Sequence, residues 1–98
     1  MLIKNYTKTK KKCRVTFKYP NQEQADSAML AGEFNNWSTT GIPMRKLKDG
    51  SFSVTISLEA GCSYTFRYVL DQSVWVNDLE ADEYVANEHG EDNSVVML

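Results

Sequence analysis

The chain contains one stretch in which a strand of small residues runs into a polar turn and a tryptophan: Leu30-Ala31-Gly32-Glu33-Phe34-Asn35-Asn36-Trp37-Ser38. A strand is predicted over residues 27–33. Asn35 and Asn36 can then reverse the chain, because asparagine tolerates the left-handed region of backbone space. The turn predicts that Trp37 lies at a loop tip, with its ring exposed and available for binding. A ring folded back onto the core is the alternative.

The flanking segments alternate between apolar and polar residues, which predicts half-buried strands. This pattern covers residues 13–19, 52–58 and 64–70, and shorter strands are predicted at 42–47, 74–76 and 94–98. Asp49-Gly50 favours a type I′ hairpin turn, and residues 71–73 form a second turn. Residues 77–91 are predicted to be a long ordered loop. About seven short strands separated by turns predict an all-β fold, an antiparallel sandwich.

Length and composition describe one soluble globular domain. The 98 residues are 42% hydrophobic and 24% charged, which suits a single core. No apolar run approaches the ~18–20 residues that span a bilayer, and the N-terminus lacks the apolar segment of a signal peptide. These features predict a cytoplasmic protein with no membrane partner. Cys13 and Cys62 are expected to be free thiols, and no metal or other cofactor is predicted.

Charge is distributed unevenly along the chain. Residues 1–19 carry seven Lys or Arg and no acid, whereas residues 71–98 carry eight acids and no Lys or Arg. Residues 1–12 are predicted to be a basic, poorly ordered arm ahead of a domain at 13–98. The run 8–12 has no interleaved aromatic residues, and the acidic remainder would repel phosphate. A solvated arm near the acidic half is therefore favoured, and no nucleic-acid partner is expected.

Several motifs occur in the order and spacing of a known family: residues 30–38, Pro43-Met44, Asp49-Gly50, Tyr64-x-Phe66-Arg67-Tyr68, Trp75-x-Asn77-Asp78 and Asp92-Asn93-Ser94-Val95-Val96. Over residues 13–98 the chain resembles the glycogen-binding domain of the AMP-activated protein kinase beta subunit. It resembles still more closely the early-set domain ahead of isoamylase and glycogen-branching-enzyme barrels. Both belong to carbohydrate-binding module family 48. The resemblance implies a non-catalytic, immunoglobulin-like (early-set) sandwich that binds α-1,4-linked glucan such as glycogen, starch or maltooligosaccharide. It also implies a glycoside hydrolase family 13 type enzyme as a partner.

The resemblance also implies which residues bind the sugar. The family's platform uses two tryptophans, a basic residue and an asparagine, which here are Trp37, Trp75, Arg67 and Asn93. The basic residue is a lysine in the kinase subunit. The chain departs from the pattern at His89 and Glu91, on either side of Gly90, where the kinase subunit has leucine and threonine. Neither substitution preserves the type of contact.

The chemistry of these side chains suits a glucose ring. Such a ring has a face rich in C–H groups, which stacks on an aromatic plane, and an edge of hydroxyl groups. Arginine presents a rigid fork of donors, and asparagine offers both a donor and an acceptor. The alternation places Arg67 opposite Phe66 and Tyr68, hence away from the core. It also leaves Trp75 alone on its face of the strand 74–76, although a core position is the alternative.

Two other classes of function are weighed against a binding module. The acidic residues between 78 and 83 could suggest a glycosidase pair or a calcium loop, but carboxylates clustered on one exposed loop are more often solvated. The chain is therefore not expected to be an enzyme. The main alternative is a protein-docking or regulatory module associated with a glycogen-metabolising enzyme, with sugar binding weak or lost. A glucan titration and a pull-down would distinguish the two.

Overall fold

A computed structural model describes residues 1–37 and 41–98 as an almost entirely β-sheet protein. Ser38, the last residue of the stretch that contains Trp37, lies outside the described residues. The strands are β1 Leu2–Tyr6, β2 Lys12–Tyr19, β3 Ala28–Gly32, β4 Ile42–Pro43, β5 Arg45–Lys46, β6 Phe52–Glu59, β7 Ser63–Leu70, β8 Val74–Val76, β9 Glu83–Ala86 and β10 Asp92–Met97. A 3₁₀ turn, Glu33–Asn35, follows β3. The predicted all-β class is confirmed.

The strands form two antiparallel sheets. The first has the order β1-β2-β6-β5, and the second has the order β4-β3-β7-β10-β9, with β8 also paired to β7. The sheets bury their inner faces against each other, since one core cluster contains side chains from both. The predicted antiparallel sandwich is therefore confirmed.

Aromatic rings from the two sheets make the centre of the core. Phe17 of β2 meets Phe66 of β7 edge to face, with ring centroids 5.0 Å apart. Tyr19 and Tyr68, two residues further along the same strands, have centroids 5.2 Å apart and ring planes inclined by 54°. All four side chains are at most 4% exposed. Such pairs add to the burial of apolar area, which is the main stabilising term.

Strand β7 has a gap on one of its edges. There, Ser63–Phe66 pair with β10 and Tyr68–Leu70 pair with β8, which leaves Arg67 between the two partners. On its other edge β7 pairs continuously with β3, from Phe66 to Leu70. The gap places Arg67 where β8 and β10 diverge.

The first residues differ from the predicted poorly ordered arm. Leu2–Tyr6 form β1, which pairs with β2 from Leu2↔Phe17 to Tyr6↔Cys13. Two ion pairs fix this strand to the acidic segment: the amino group of Met1 with Asp78, at 2.6 Å, and Lys4 with Asp82, at 2.7 Å. Backbone pairing and these charges order a segment whose own sequence has no sustained period.

One predicted turn and one predicted edge segment differ in the structure. Only Gly50 has a positive φ in the Asp49-Gly50 turn (89°), so the loop is not type I′, which requires positive φ at both central residues. Its bonds are Gly50 N–H to Leu47 O and Leu47 N–H to Ser51 O, as in a longer loop with glycine in the left-handed position. The segment 42–47 is divided at Met44, where the chain crosses between the sheets: β4 belongs to the second sheet and β5 to the first.

The predicted loop 77–91 contains a strand. All four residues of β9 are exposed, so the sequence has no alternation to indicate a buried face. The strand is ordered by its antiparallel pairing with β10, in which Val85 lies opposite Asn93. With β1, β9 and the divided edge segment, the described residues hold ten strands where about seven were predicted.

The two cysteines lie in different environments. Cys13 is buried and Cys62 is exposed, and both are free thiols. Within residues 1–37 and 41–98, no helix has the length and apolar character needed to cross a membrane.

A buried carboxylate joins the two sheets. Asp78 is 1% exposed and accepts hydrogen bonds from the Met1 amino group, from Tyr68 Oη at 2.6 Å and from the Glu80 N–H at 2.7 Å. Burial raises the pKa of the Tyr68 phenol, and the negative charge of Asp78 and the hydrogen bond to it raise that pKa further. Buried charge requires such partners, since an unpaired carboxylate would be strongly destabilising.

The raised pKa of Tyr68 predicts alkaline destabilisation. The unfolded tyrosine loses its proton first as pH rises, so the stability that Tyr68 contributes is complete below a pH of about 10 and declines above it. Once that pH is passed, the decline should approach about 1.4 kcal/mol per pH unit for this one group. Tyr68→Phe removes the titration, so its stability should differ from wild type by a constant amount below that pH and by a shrinking amount above it. Urea denaturation of both proteins as a function of pH measures the difference. Parallel profiles at high pH would contradict this account of Tyr68.

Candidate functional site

The candidate site lies on the outward face of the second sheet. Phe66, Tyr68 and Leu70 of β7 point into the core, so Arg67 and Val69 between them point outward. Trp75 lies directly opposite Val69 in the register of β7 and β8. Val69 is nevertheless fully buried, which requires that larger side chains on this outward face cover it.

The turn after β3 carries Trp37 in a defined backbone conformation. The Trp37 N–H donates to Gly32 O at 2.9 Å, and the Asn36 N–H donates to Glu33 O at 3.4 Å. With Asn36 in the left-handed region (φ 56°), these two bonds make a Schellman motif. Trp37 itself also has a positive φ of 58°, which costs a residue with a Cβ about 1–2 kcal/mol. A bulky residue kept in such a conformation is a feature of functional sites.

Two neighbours of Trp37 explain how this turn is held. The Asn35 side chain accepts from the Gly32 N–H at 2.9 Å and donates to Leu30 O at 3.1 Å. Gly32 is needed for space, because a Cβ there would lie 2.6 Å from the Thr65 carbonyl oxygen. The first asparagine of the pair therefore braces the turn, and the second supplies its left-handed residue.

The two tryptophan rings form one surface. Their centroids are 6.4 Å apart and their planes are inclined by 44°. The rings are half-buried, whereas the sequence predicted an exposed ring for Trp37. The difference arises because Trp37 packs against Trp75 on the outward face of the sheet. The Trp37 ring does not enter the core, which was the alternative prediction.

Arg67 lies beside this pair with its guanidinium fixed on several sides. One terminal nitrogen donates to Glu91 Oε2 at 2.8 Å, and the other donates to the Trp75 carbonyl at 3.2 Å. The guanidinium carbon is 5.9 Å from the centroid of the Trp75 ring, within the range of a cation–π contact. The Arg67 side chain is 13% exposed, and its Nε–H has no acceptor within the described residues.

The loop between β9 and β10 closes the other side of the site. Asn87 organises this loop: its side-chain oxygen accepts from the backbone N–H groups of His89 and Glu91, and its amide donates to Asn93 Oδ1 at 3.3 Å. Gly90 has a positive φ of 79° at the loop tip. Asn87 thereby fixes Glu91 near Arg67 and orients Asn93.

All four predicted site residues line one groove of about 860 Å³. The structure thus brings Trp37, Trp75, Arg67 and Asn93 together, although they come from four separate parts of the chain. His89 and Glu91, where the chain departs from the family pattern, also line it. The remaining lining residues are Ser73, Val74, Asn87 and Glu88.

The fold and the groove define a class of protein, a small antiparallel β-sandwich with an aromatic groove on the outward face of one sheet. The family model described as the glycogen recognition site of AMP-activated protein kinase matches residues 13–98. The chain therefore belongs to that family of carbohydrate-binding modules. No curated protein matches the sequence.

A solved structure shares the fold. It is the crystal structure of the enterobactin esterase FES from Shigella flexneri in the presence of 2,3-di-hydroxy-N-benzoyl-serine. The TM-score is 0.79 with 9% sequence identity, and the match covers 99% of this chain and 32% of the esterase chain. At this identity the likeness concerns the fold alone.

Sequence reasoning missed the role of Asn87 and the ion pair of Glu91. Asn87-x-x-Gly90 is a turn signal, since asparagine side chains bond to nearby backbone N–H groups and glycine adopts positive φ. That signal was available within the predicted loop 77–91. The contact between Glu91 and Arg67 spans 24 positions along the chain, and no local pattern indicates it.

The different roles of Asn35 and Asn36 predict that substitution lowers the folding stability at the first position and leaves it unchanged at the second. Asn35→Ala removes both side-chain bonds that brace the turn and should cost about 1–2 kcal/mol, as for a lost helix cap. Asn36→Gly is the matched control, since glycine adopts the left-handed conformation without strain. Thermal melting measures stability, and near-UV circular dichroism reports whether the paired indoles remain in fixed contact. Equal losses in the two variants would show that Asn35 does not brace the turn.

Proposed function

We propose that the groove binds α-1,4-linked glucan, in glycogen, starch or maltooligosaccharide, with Trp37 and Trp75 as a stacking platform. The observation that carries the proposal is the packing of the two indoles side by side in one groove with Arg67 and Asn93 at its edge. Membership of a glycogen-recognition family supports a glucan as the ligand.

The platform suits an α-linked chain because its rings are inclined to each other. A ligand that stacks on both indoles must turn its faces by a similar angle between contacts. An α-1,4-linked glucan is a curved chain, whereas a β-1,4-linked glucan is flat and extended. Stacking places the C–H face of a glucose unit on each indole and removes apolar area from water.

The edge of the groove suits hydroxyl groups. Arg67 is held by Trp75 O and Glu91, so little side-chain freedom remains to be lost when a ligand binds. Asn93 receives a bond on its oxygen from Asn87, which orients its amide N–H groups as donors. These residues would bond the hydroxyl groups of a sugar already stacked on the indoles.

We infer a binding role without catalysis. Glu91, a carboxylate in the groove, forms an ion pair with Arg67, and the carboxylate of Glu88 lies 3.5 Å from His89 Nε2. A module of this kind would act by holding a partner enzyme on its polymer, and the resemblance suggests a glycoside hydrolase family 13 type enzyme in the cytoplasm. Maltoheptaose incubated with the protein should yield no new reducing ends, and co-purification with such an enzyme would test the partner.

The platform predicts modest affinity that depends on both indoles. An open groove leaves much of the ligand hydrated, so Kd should be on the order of 10⁻⁵–10⁻³ M. Trp37→Ala or Trp75→Ala should weaken maltoheptaose binding by about 2 kcal/mol or more, as expected for a hot-spot aromatic. Because the rings are half-buried, each change should also cost about 1 kcal/mol of folding stability. Calorimetric titration and thermal melting measure the two effects separately.

Two controls test whether binding depends on the groove tryptophans in particular and on the α-1,4 linkage of the ligand. Tyr6→Ala removes an aromatic side chain that is 48% exposed on β1, in the opposite sheet, and should leave binding unchanged. A β-1,4-linked glucan of equal length should bind much more weakly than maltoheptaose. Wild-type affinity in both tryptophan variants would refute the platform. A wild-type protein that ignores glucan but retains a protein partner in a pull-down would favour the docking module.

A further inference from the structure

The charges around the groove do not match a simple basic site. Arg67 is the one lysine or arginine among the described lining residues, which also include His89, and Glu88 and Glu91 are two carboxylates. Glu91 neutralises Arg67 directly through the 2.8 Å ion pair. The glutamates of the lining therefore outnumber its arginine, even though the edge proposed to bind hydroxyl groups contains that arginine.

The Arg67–Glu91 pair differs chemically from an arginine alone. A free guanidinium offers only N–H donors and a positive charge. Paired with a carboxylate, it becomes a donor beside an acceptor with no net charge. A hydroxyl group can donate and accept at once, so two neighbouring hydroxyls of a sugar can accept from Arg67 and donate to Glu91.

We propose that Glu91 is a specificity-determining residue that makes the groove select unsubstituted glucan over phosphorylated glucan. This inference rests on the glucan-binding function proposed above. A phosphate ester carries a charge of about −1.5 to −2 near neutral pH. Its unprotonated oxygens can only accept hydrogen bonds. A phosphate group bound at this edge of the groove would be repelled by the Glu91 carboxylate. It would gain little from Arg67, because Glu91 already neutralises the guanidinium charge.

The geometry makes Glu91 better suited to this role than its neighbour Glu88. Glu91 bonds to Arg67, and its backbone N–H is fixed by Asn87 at 3.1 Å. Glu88 lines the same groove and lies 3.5 Å from His89, with 87% of its side chain exposed. The side chain of Glu91 is also exposed, at 60%, so what distinguishes it from Glu88 is its bond to Arg67, whose positive charge it neutralises. The two residues therefore form a matched pair for experiment.

The test compares two ligands across two charge-neutralising variants. Maltoheptaose and a maltoheptaose bearing one glucose 6-phosphate are titrated at low ionic strength into wild type, Glu91→Gln and Glu88→Gln. Wild type should bind the phosphorylated ligand at least about fivefold more weakly, the effect of one unit charge at about 4 Å in water. Glu91→Gln retains the shape and an acceptor oxygen but frees the charge of Arg67. The preference should then fall by about fivefold or more, or reverse.

Glu88→Gln should change that ratio by less than about twofold, because it leaves the Arg67–Glu91 pair in place and removes only a charge that is screened by solvent. The ratio of the affinities for maltoheptaose and its phosphorylated form separates charge discrimination from a structural role. A variant that merely loosened the loop between β9 and β10 would weaken the binding of both ligands equally. Trp37→Ala, for the same reason, should weaken both ligands and leave the ratio unchanged.

Failure of this inference is distinct from failure of the glucan function. A wild type that binds maltoheptaose but does not distinguish the phosphorylated ligand would overturn the role of Glu91 alone. Equal changes of the ratio in Glu91→Gln and Glu88→Gln would also overturn it, since net charge rather than the pairing with Arg67 would then set the preference. A wild type that binds neither ligand would overturn both proposals.

Discussion

Strand β7 is the constraint on which the sandwich and the groove both depend. It pairs with β3 along one edge and is divided between β10 and β8 on the other. Because strand side chains alternate with a period of two, its inward residues build the aromatic core while Arg67 is directed outward at the division. A shift of one residue in register would exchange these faces. The core therefore fixes the position of the arginine in the groove.

A second set of bonds ties Trp75 to the strand that carries Asn93. Asn77, two residues beyond Trp75, donates to the Asp92 carbonyl and accepts from Ser94 Oγ, while the Asp78 N–H donates to that same Ser94 oxygen. Asp78 is in turn buried against Tyr68. The distance between the second indole and the edge of the groove is thus set by a polar network that runs from the surface at Asn77 to the buried Asp78, and satisfied networks of this kind rigidify a structure.

Sequence alone predicted the parts of the structure that have one buried face. The strands around Phe17, Phe52 and Phe66 alternate clearly because each packs one side on the core, and the outward direction of Arg67 follows from the same pattern. Strands β1 and β9 were not predicted, since their residues are mostly exposed and only pairing with a neighbour orders them. Their stability comes from contacts distant in sequence, which local periodicity cannot report.

The groove was predictable in its residue types and not in its arrangement. Asparagines before Trp37 indicated a turn, but no local pattern indicated its two hydrogen bonds, the positive φ of Trp37 or the close approach of Gly32 to the Thr65 backbone. The inclination of the indoles depends on that turn and on the register of β8 together. The Arg67–Glu91 pair likewise requires both the division of β7 and the loop built by Asn87.

Stacking and edge contacts would contribute differently to recognition in the proposed site. An indole face accepts the C–H face of many sugars, so the platform would supply affinity with little discrimination among hydroxyl patterns. Hydrogen bonds depend on direction and on the balance of donors and acceptors. A site built to pair polar groups rejects ligands that leave those groups unpaired or place like charges together. Selectivity in the proposed site would therefore reside in Arg67, Glu91 and Asn93, even though the two tryptophans would carry most of the affinity.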